Sequence, residues 1–434
     1  MRLAGRFFGG AIPSALTTSA APIHHLPEAG TMFKRLLVLG PAALLGAACG
    51  IDRPHPTDAT VASSATVAFS AVKFWEAGAT VSWNKLASDL ATAAPTPGIN
   101  ARRLSAYLSL AQLRAAEAAQ AAPGPHPPIA AAIGGASVAV LSSFFPLSSA
   151  QLEAALDAQQ ASDPWPGAQH ADFAAGEAIG RAAGARVLTF AQGDLYGLVD
   201  PLLPPVGPPL LGPGRWIYAP PPVIARGGLG ARPFFLTSQD QLRSPPPPLF
   251  GSPAFNAALA EVRHISDTRT QAQIDIANYW NRNQSPRSDS AFMGIARELI
   301  VSHHRSDAEA ARIMFLMSAA SYDAIIGCFD AKYHYWYIRP GQADAGIHTV
   351  FPTPQHPSYP SAHSCISGAM SSVLTAAFPS ERARLAAAAQ EASLSRLYAG
   401  IHYRFDFEAG LALGRRAAAL ALAADLDEVA PGTK

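Results

Sequence analysis

The chain has 434 residues, 49% hydrophobic and 15% charged, so it can bury a large core and is too apolar to remain disordered. Its 32 basic and 31 acidic residues leave a net charge of +1, which excludes a global field for nucleic acid or anionic lipid. Any anion recognition must therefore be local. Alanine-rich segments dominate and alternating runs of Val, Ile and Thr are scarce, so composition predicts an all-α fold.

Taken in order, Lys34-Arg35 followed by the uncharged run 36–48 has the arrangement of a bacterial export signal, with the working start at Met32 instead of Met1. The residues up to Cys49 are similar to a lipoprotein cleavage box, although Gly46 stands where leucine is usual. Cleavage after Ala48 without lipidation is the alternative. Residues 1–49 are thus expected to be a signal region and the Pro-, Thr-, Ser- and Ala-rich stretch 50–65 a tether. The expected location is outside the cytoplasm: periplasmic, anchored by lipid at Cys49, or secreted.

Apolar periodicity predicts helices at 68–90, 100–121, 129–145, 149–160 and 171–188, a first bundle within 66–200. Leu104, Tyr107, Leu108, Ala111 and Ala115 recur at intervals of three and four, the stripe that a bundle buries. The uncharged stretch 129–152 is diluted by Gly134, Gly135, Ser137, Ser142, Ser143 and Pro146, and reads as a buried central helix instead of a membrane span. Prolines throughout 201–255 exclude regular helix or central strand there. Its aromatics, Trp216, Tyr218, Phe234, Phe235 and Phe250, point to an ordered connection that packs as core or lies as a lid over a pocket. Helices resume at 256–264, 269–281, 290–303, 307–332, 366–377, 381–399 and 404–426, a second bundle within 256–426.

Three pieces of the last third carry the chemistry: Lys332 with Arg339-Pro340, Pro360-Ser361-Ala362-His363, and Ser395-Arg396 with His402 and Asp406. A tetrahedral oxyanion needs fixed cations, and one lysine with two arginines offers compact and forked donors to different oxygens. Lys332 and Arg339 are seven residues apart and return to one helix face if the helix continues that far, although Pro340 argues that it ends near here. The spacing of His402 and Asp406 is one helical turn, which lets the carboxylate hold one ring nitrogen and leave the other facing the anion. Ser361 and its neighbours precede an apolar helix, whose start offers backbone N–H groups to oxygens, with the His363 imidazole placed for acid–base work. Each residue alone is usually a solvated or structural one; the joint order and spacing are what single them out.

These three pieces resemble the tripartite signature of the type 2 phosphatidic acid phosphatase (PAP2) and vanadium haloperoxidase superfamily: Lys, six residues, Arg-Pro; Pro-Ser-Gly-His; Ser-Arg, five residues, His, three residues, Asp. The stretches 269–280, 317–324 and 332–340 are similar to vanadium haloperoxidase-related proteins, and the likeness extends over about residues 66–425. The resemblance implies that His402 binds phosphorus or vanadium, that His363 is the acid or base, and that Asp406 orients His402. It also implies that Lys332, Arg339, Ser361, Ala362 and Arg396 hold the oxygens. Ala362 replaces the usual glycine, and its methyl can crowd the anion or shift the turn. His356, seven residues before His363, stands where algal bromoperoxidases have a histidine, which marks a halide site and favours bromide; the plain alternative is a loop residue before Pro357.

On this resemblance the chain is expected to oxidise halide with hydrogen peroxide using vanadate. One alternative is an acid phosphatase that hydrolyses phosphomonoesters through a phosphohistidine without a cofactor. The other is a non-catalytic oxyanion-binding lipoprotein. A zinc site competes weakly, through His303-His304 and the His402/Asp406 spacing, because three cations would repel a divalent ion. Cys328 and Cys365 are expected to be buried free thiols.

Overall fold

The computed structural model describes residues 78–93, 101–124, 126–162, 169–194, 211–217, 228–282, 291–430 and 432–433. The expected signal region, Cys49, the tether at 50–65 and the start of the helix expected from residue 68 lie outside them. Among the described residues there are helices and no strand, with one isolated antiparallel bridge between Arg215 and Tyr337. The fold is all-α, as the alanine-rich composition requires.

Among the described residues five helices come first: α1 (Ala79–Ala93), α2 (Ala101–Ala121), α3 (Ile129–Phe144), α4 (Ser149–Ala161) and α5 (Gln169–Ala191). The predicted stripe of α2 is buried along its whole length. α3 has 16 residues, too short to span a bilayer, and is buried core. It lies so close to α5 that a Cβ at Gly180 would sit 1.9 Å from the Ala132 carbonyl oxygen. Those two helices can touch only because glycine carries no side chain.

Eight helices follow: α6 (Pro253–Thr268), α7 (Gln271–Arg282), α8 (Ala291–Ser302), α9 (Asp307–Tyr335), α10 (Pro340–Ala343), α11 (Ala362–Ala377), α12 (Arg382–Tyr398) and α13 (Arg404–Ala423). α9 is the central strut. It is long and apolar enough to cross a membrane, yet its positions from Ala310 to Tyr333 are almost all buried inside the protein. It packs on α2 on one side and on α11 and α13 on the other, so helices before and after the proline-rich connection share one core. Its N-cap Ser306 and Glu309 form a capping box, while the neighbouring Asp307 accepts from the N–H groups of Ala79 (3.3 Å) and Thr80 (2.9 Å). One acidic turn thus starts two helices.

In the described parts of the proline-rich connection Trp216, Phe234, Leu236 and Leu242 pack into the core, whereas Leu211, Leu249 and Phe250 are exposed. Phe234 lies 5.3 Å from Tyr322, 5.7 Å from Tyr107 and 5.8 Å from Phe315 between ring centres. The N–H groups of Phe234 and Phe235 donate at 2.9 and 2.7 Å to the buried carboxylate of Asp323 on α9. A segment with no ladder of its own satisfies its backbone through that side chain.

Helix ends differ from expectation for local reasons. α6 starts at Pro253, because the Ser252 hydroxyl accepts from the Phe255 N–H and proline suits the first position. α9 ends when Trp336 takes a left-handed φ of 49°, and α11 starts four residues earlier than expected, at Ala362.

The contact that positions the site is between α11 and α13. A Cβ at Gly414 would lie 2.2 Å from the Cys365 carbonyl oxygen, and one at Gly410 would lie 2.6 Å from that of Ser361. At an open helical position, replacing glycine by alanine stabilises by up to about 1 kcal/mol. Here the backbone cannot yield cheaply, so Gly414→Ala is expected to destabilise by about 1–3 kcal/mol. Urea unfolding reads this as a lowered midpoint at unchanged slope; a midpoint at or above that of the parent chain would show that the two helices do not meet this way.

Candidate oxyanion-binding site

His402 lies just before α13, and Asp406 is the third residue of its first turn. The expectation of a helical turn joining them is therefore corrected: the bond crosses the start of the helix. The Nδ1 of His402 is 2.7 Å from Asp406 Oδ2, which also accepts from the Tyr403 N–H (3.2 Å) and the Ser358 hydroxyl (2.6 Å). The positive end of α13 and these three donors hold the carboxylate in place. Burial pushes its pKa up to about 6, against the pull of Ser358, Lys332 and Arg339.

The other ring nitrogen of His402 faces Arg339, whose Nη1 lies 3.0 Å from Nε2. A guanidinium only donates, so Nε2 must accept. That fixes the tautomer: Nδ1–H on Asp406, and a lone pair at Nε2 pointing into the cationic cluster. Burial, then Arg339 and Lys332, hold the His402 pKa well below its ordinary value, so the ring is neutral.

Lys332 and Arg339 do not converge by sharing a helix face, because α9 stops at Tyr335 and Arg339 caps α10. They converge because both grip the loop 356–358. Lys332 Nζ donates to the carbonyls of Pro357 and Ser358, each at 2.8 Å. Arg339 donates to the carbonyls of His356 (3.0 Å) and Ile401 (2.8 Å), and its Nη2 reaches His356 Nδ1 at 3.0 Å. That nitrogen therefore accepts, and its 3.1 Å approach to the Pro357 carbonyl is not a hydrogen bond in this tautomer. His356 is thus a buried loop residue beside the cluster, with its ring 5.2 Å from Phe329.

The opposite wall comes from α11 and α12. Ser361 caps α11, and its N–H donates to the Asp406 carbonyl at 2.9 Å. Its hydroxyl is buried with no protein partner, so a hydrogen-bonding group stands uncommitted at the helix start. Ala362 is the first helical residue and has no positive φ, so alanine in place of glycine strains nothing in the backbone. His363 is half-buried and donates from Nε2 to the Trp280 carbonyl at 3.2 Å, which leaves its Nδ1 as the free base. Burial and Arg396 lower its pKa. Arg396 is buried, fixed by the Ala277 carbonyl (2.8 Å), Ser395 Oγ (2.9 Å) and the Phe351 ring at 5.1 Å, and its charge is felt at both His363 and His402.

Three buried cations thus face one buried carboxylate, an excess that a bound anion would relieve. Among the described residues no three His, Cys, Asp or Glu side chains gather as ligands for a metal cation. Ser358 was not legible in the sequence. Its only signal was its place between His356 and Pro360, and its role appears only once the 356–358 loop folds onto α13.

Two measurements follow. Residues that orient a ligand through another group typically contribute 10–100-fold to affinity. Asp406→Asn is expected to weaken inorganic phosphate binding by about that range, and Ser358→Ala by about 10-fold or less, in calorimetric titration. An unchanged affinity in Asp406→Asn would remove the relay from the site. Burial holds the Lys332 pKa down to about 8, so its ammonium is charged below that pH and lost above it. Phosphate affinity should fall between roughly pH 7 and 9, even though phosphate itself gains charge there, and the fall over that window should be smaller in Lys332→Met.

The comparisons with known proteins come to the same place. Residues 310–428 match the model of the PAP2 superfamily. A bacterial vanadium-dependent iodoperoxidase of known structure is 25% identical, with a TM-score of 0.64 over 80% of this chain and 95% of that one. A bacterial vanadium-dependent chloroperoxidase, solved in apo and holo forms, is 14% identical with a TM-score of 0.58. It covers 77% of this chain and 96% (apo) or 94% (holo) of its own, and supports the fold alone. No curated protein matches the chain by sequence. The chain is thus related to the PAP2 superfamily through residues 310–428 and to vanadium-dependent haloperoxidases through its fold.

Proposed function

We propose that this protein is a vanadate-dependent haloperoxidase that oxidises halide, bromide foremost, with hydrogen peroxide. The observation that carries the proposal is the lone pair of His402 Nε2 set among Lys332, Arg339 and Arg396, with the uncommitted Ser361 hydroxyl beside them. A tetrahedral oxyanion uses each of these groups: one nitrogen lone pair for its central atom, and cations and hydroxyl for its oxygens.

Vanadate fits this donor set. When bound, it supplies the Lewis acidity that activates hydrogen peroxide toward halide. His402 is the residue to bind it, oriented by Asp406 and Ser358. Lys332, Arg339, Arg396, Ser361 and the backbone at Ala362 hold the oxygens. His363 Nδ1 takes up and returns the proton of the incoming peroxide. His356, pinned by Arg339 against Phe329, stands on the halide side.

Phosphomonoester hydrolysis would use the same residues, with His402 Nε2 attacking phosphorus and His363 protonating the leaving oxygen. What favours the peroxidase reading is the reach of the likeness. The PAP2 match ends at the residues around the site, 310–428, whereas the likeness to the iodoperoxidase takes in 80% of the chain, more than that segment and so including earlier helices. We place the mature protein outside the cytoplasm on the order of charge and apolar residues at 34–48, with anchoring at Cys49 if lipidation occurs.

The deciding assay is halogenation of an indicator phenol with peroxide and either bromide or iodide, with and without orthovanadate, beside hydrolysis of a phosphomonoester. Vanadate-dependent halogenation that His402→Ala abolishes is expected. Vanadate-inhibited hydrolysis without halogenation would replace the proposal with an acid phosphatase, and silence in both with an oxyanion-binding protein.

A further inference from the structure

Cys328 and Cys365 are both fully buried and free, and the mechanism above uses neither. Cys328 lies one turn before Lys332 on α9. Cys365 lies one turn after Ser361 on α11, its N–H donating to the Ser361 carbonyl at 3.0 Å. The two helices pack directly on each other, and the two thiols lie between them close enough for each to bear on the other's proton. The Cys328 sulfur also rests 3.8 Å from the Pro360 carbonyl oxygen, in the strand of chain that carries Ser361 to the anion. The pair therefore sits directly behind the oxyanion site and touches both elements that build it.

We propose that Cys328 and Cys365 are a redox-active pair, which hydrogen peroxide converts to a disulfide that cross-links α9 to α11 behind the site. The sulfur of Cys328, next to the Lys332 ammonium, attacks one oxygen of peroxide. The O–O bond breaks, leaving a sulfenic acid on Cys328 and releasing water. The sulfur of Cys365 then attacks that sulfur, the S–S bond forms, and the sulfenic oxygen leaves as a second water. Two electrons pass from the two thiols to peroxide, and both thiol protons leave in water.

Two features bring the oxidant to the thiols. Ser361, which caps α11, and Ser364, in its first turn, precede Cys365 and have buried hydroxyls without protein partners, which offer hydrogen bonds to a molecule as small as peroxide. The oxidant is the co-substrate of the activity proposed above, and to that extent the inference rests on that reading. Its chemistry requires neither vanadate nor halide.

The test uses the full chain with Cys49→Ser, treated with peroxide alone, quenched with catalase, alkylated in denaturant and digested for mass spectrometry. The expected result is a peptide pair joined through Cys328 and Cys365 with two hydrogens lost, both free thiols disappearing together and returning with dithiothreitol. In Cys365→Ser, Cys328 should instead be trapped by dimedone as the sulfenic acid. Recovery of both thiols in full after peroxide would overturn the proposal, as would separate sulfinic acids with no joined peptide. Because no vanadate or halide is present, absence of haloperoxidase activity leaves this result readable on its own.

Discussion

Everything at the site depends on how closely α13 lies against α11. Gly410 and Gly414 let the backbone of one helix touch the carbonyl oxygens of the other, where any side chain would collide. That approach brings the start of α13 under the start of α11, so that the Asp406 carbonyl receives the Ser361 N–H while the Asp406 carboxylate holds His402. One helix contact thus joins the residue that orients the imidazole to the helix start that offers donors to the anion. A shift of one turn would leave each group intact and the site absent.

The charge at the site is unbalanced by construction. Lys332, Arg339 and Arg396 are all buried, and burial lowers the pKa of each, to about 8, 10 and 9. What keeps them in place is mostly backbone: carbonyls of residues 277, 356, 357, 358 and 401 point at the cations. Carbonyl dipoles offset desolvation without cancelling the positive field, as a second carboxylate would. The field remains available to a ligand, and the neutral His402 stands at its centre.

The helices before residue 200 serve this arrangement from a distance. Buried Asp194 accepts from the hydroxyls of Tyr107 and Tyr322, tying α2 to α9, and Asp323 on the same α9 ties down the proline-rich connection. These buried carboxylates fix α9 against sliding, and α9 delivers Lys332. A long apolar helix would otherwise have little to set its register, since hydrophobic contact is non-directional.

The sequence alone indicated the helical class, most helix positions and most of the residues that the fold brings together at the site. Composition and the 3.6-residue period report burial directly, and the order Lys332, Arg339, Ser361, His363, Arg396, His402, Asp406 is a property of the chain. What the tertiary structure decided is how those residues meet. Lys332 and Arg339 meet through a shared loop because Trp336 ends α9, and His402 meets Asp406 across a helix start. Ser358 enters through a fold-back that no spacing encodes. Tautomers and uncommitted hydroxyls depend on neighbours distant in sequence, and periodicity carries no information about partners that the chain brings together only by folding.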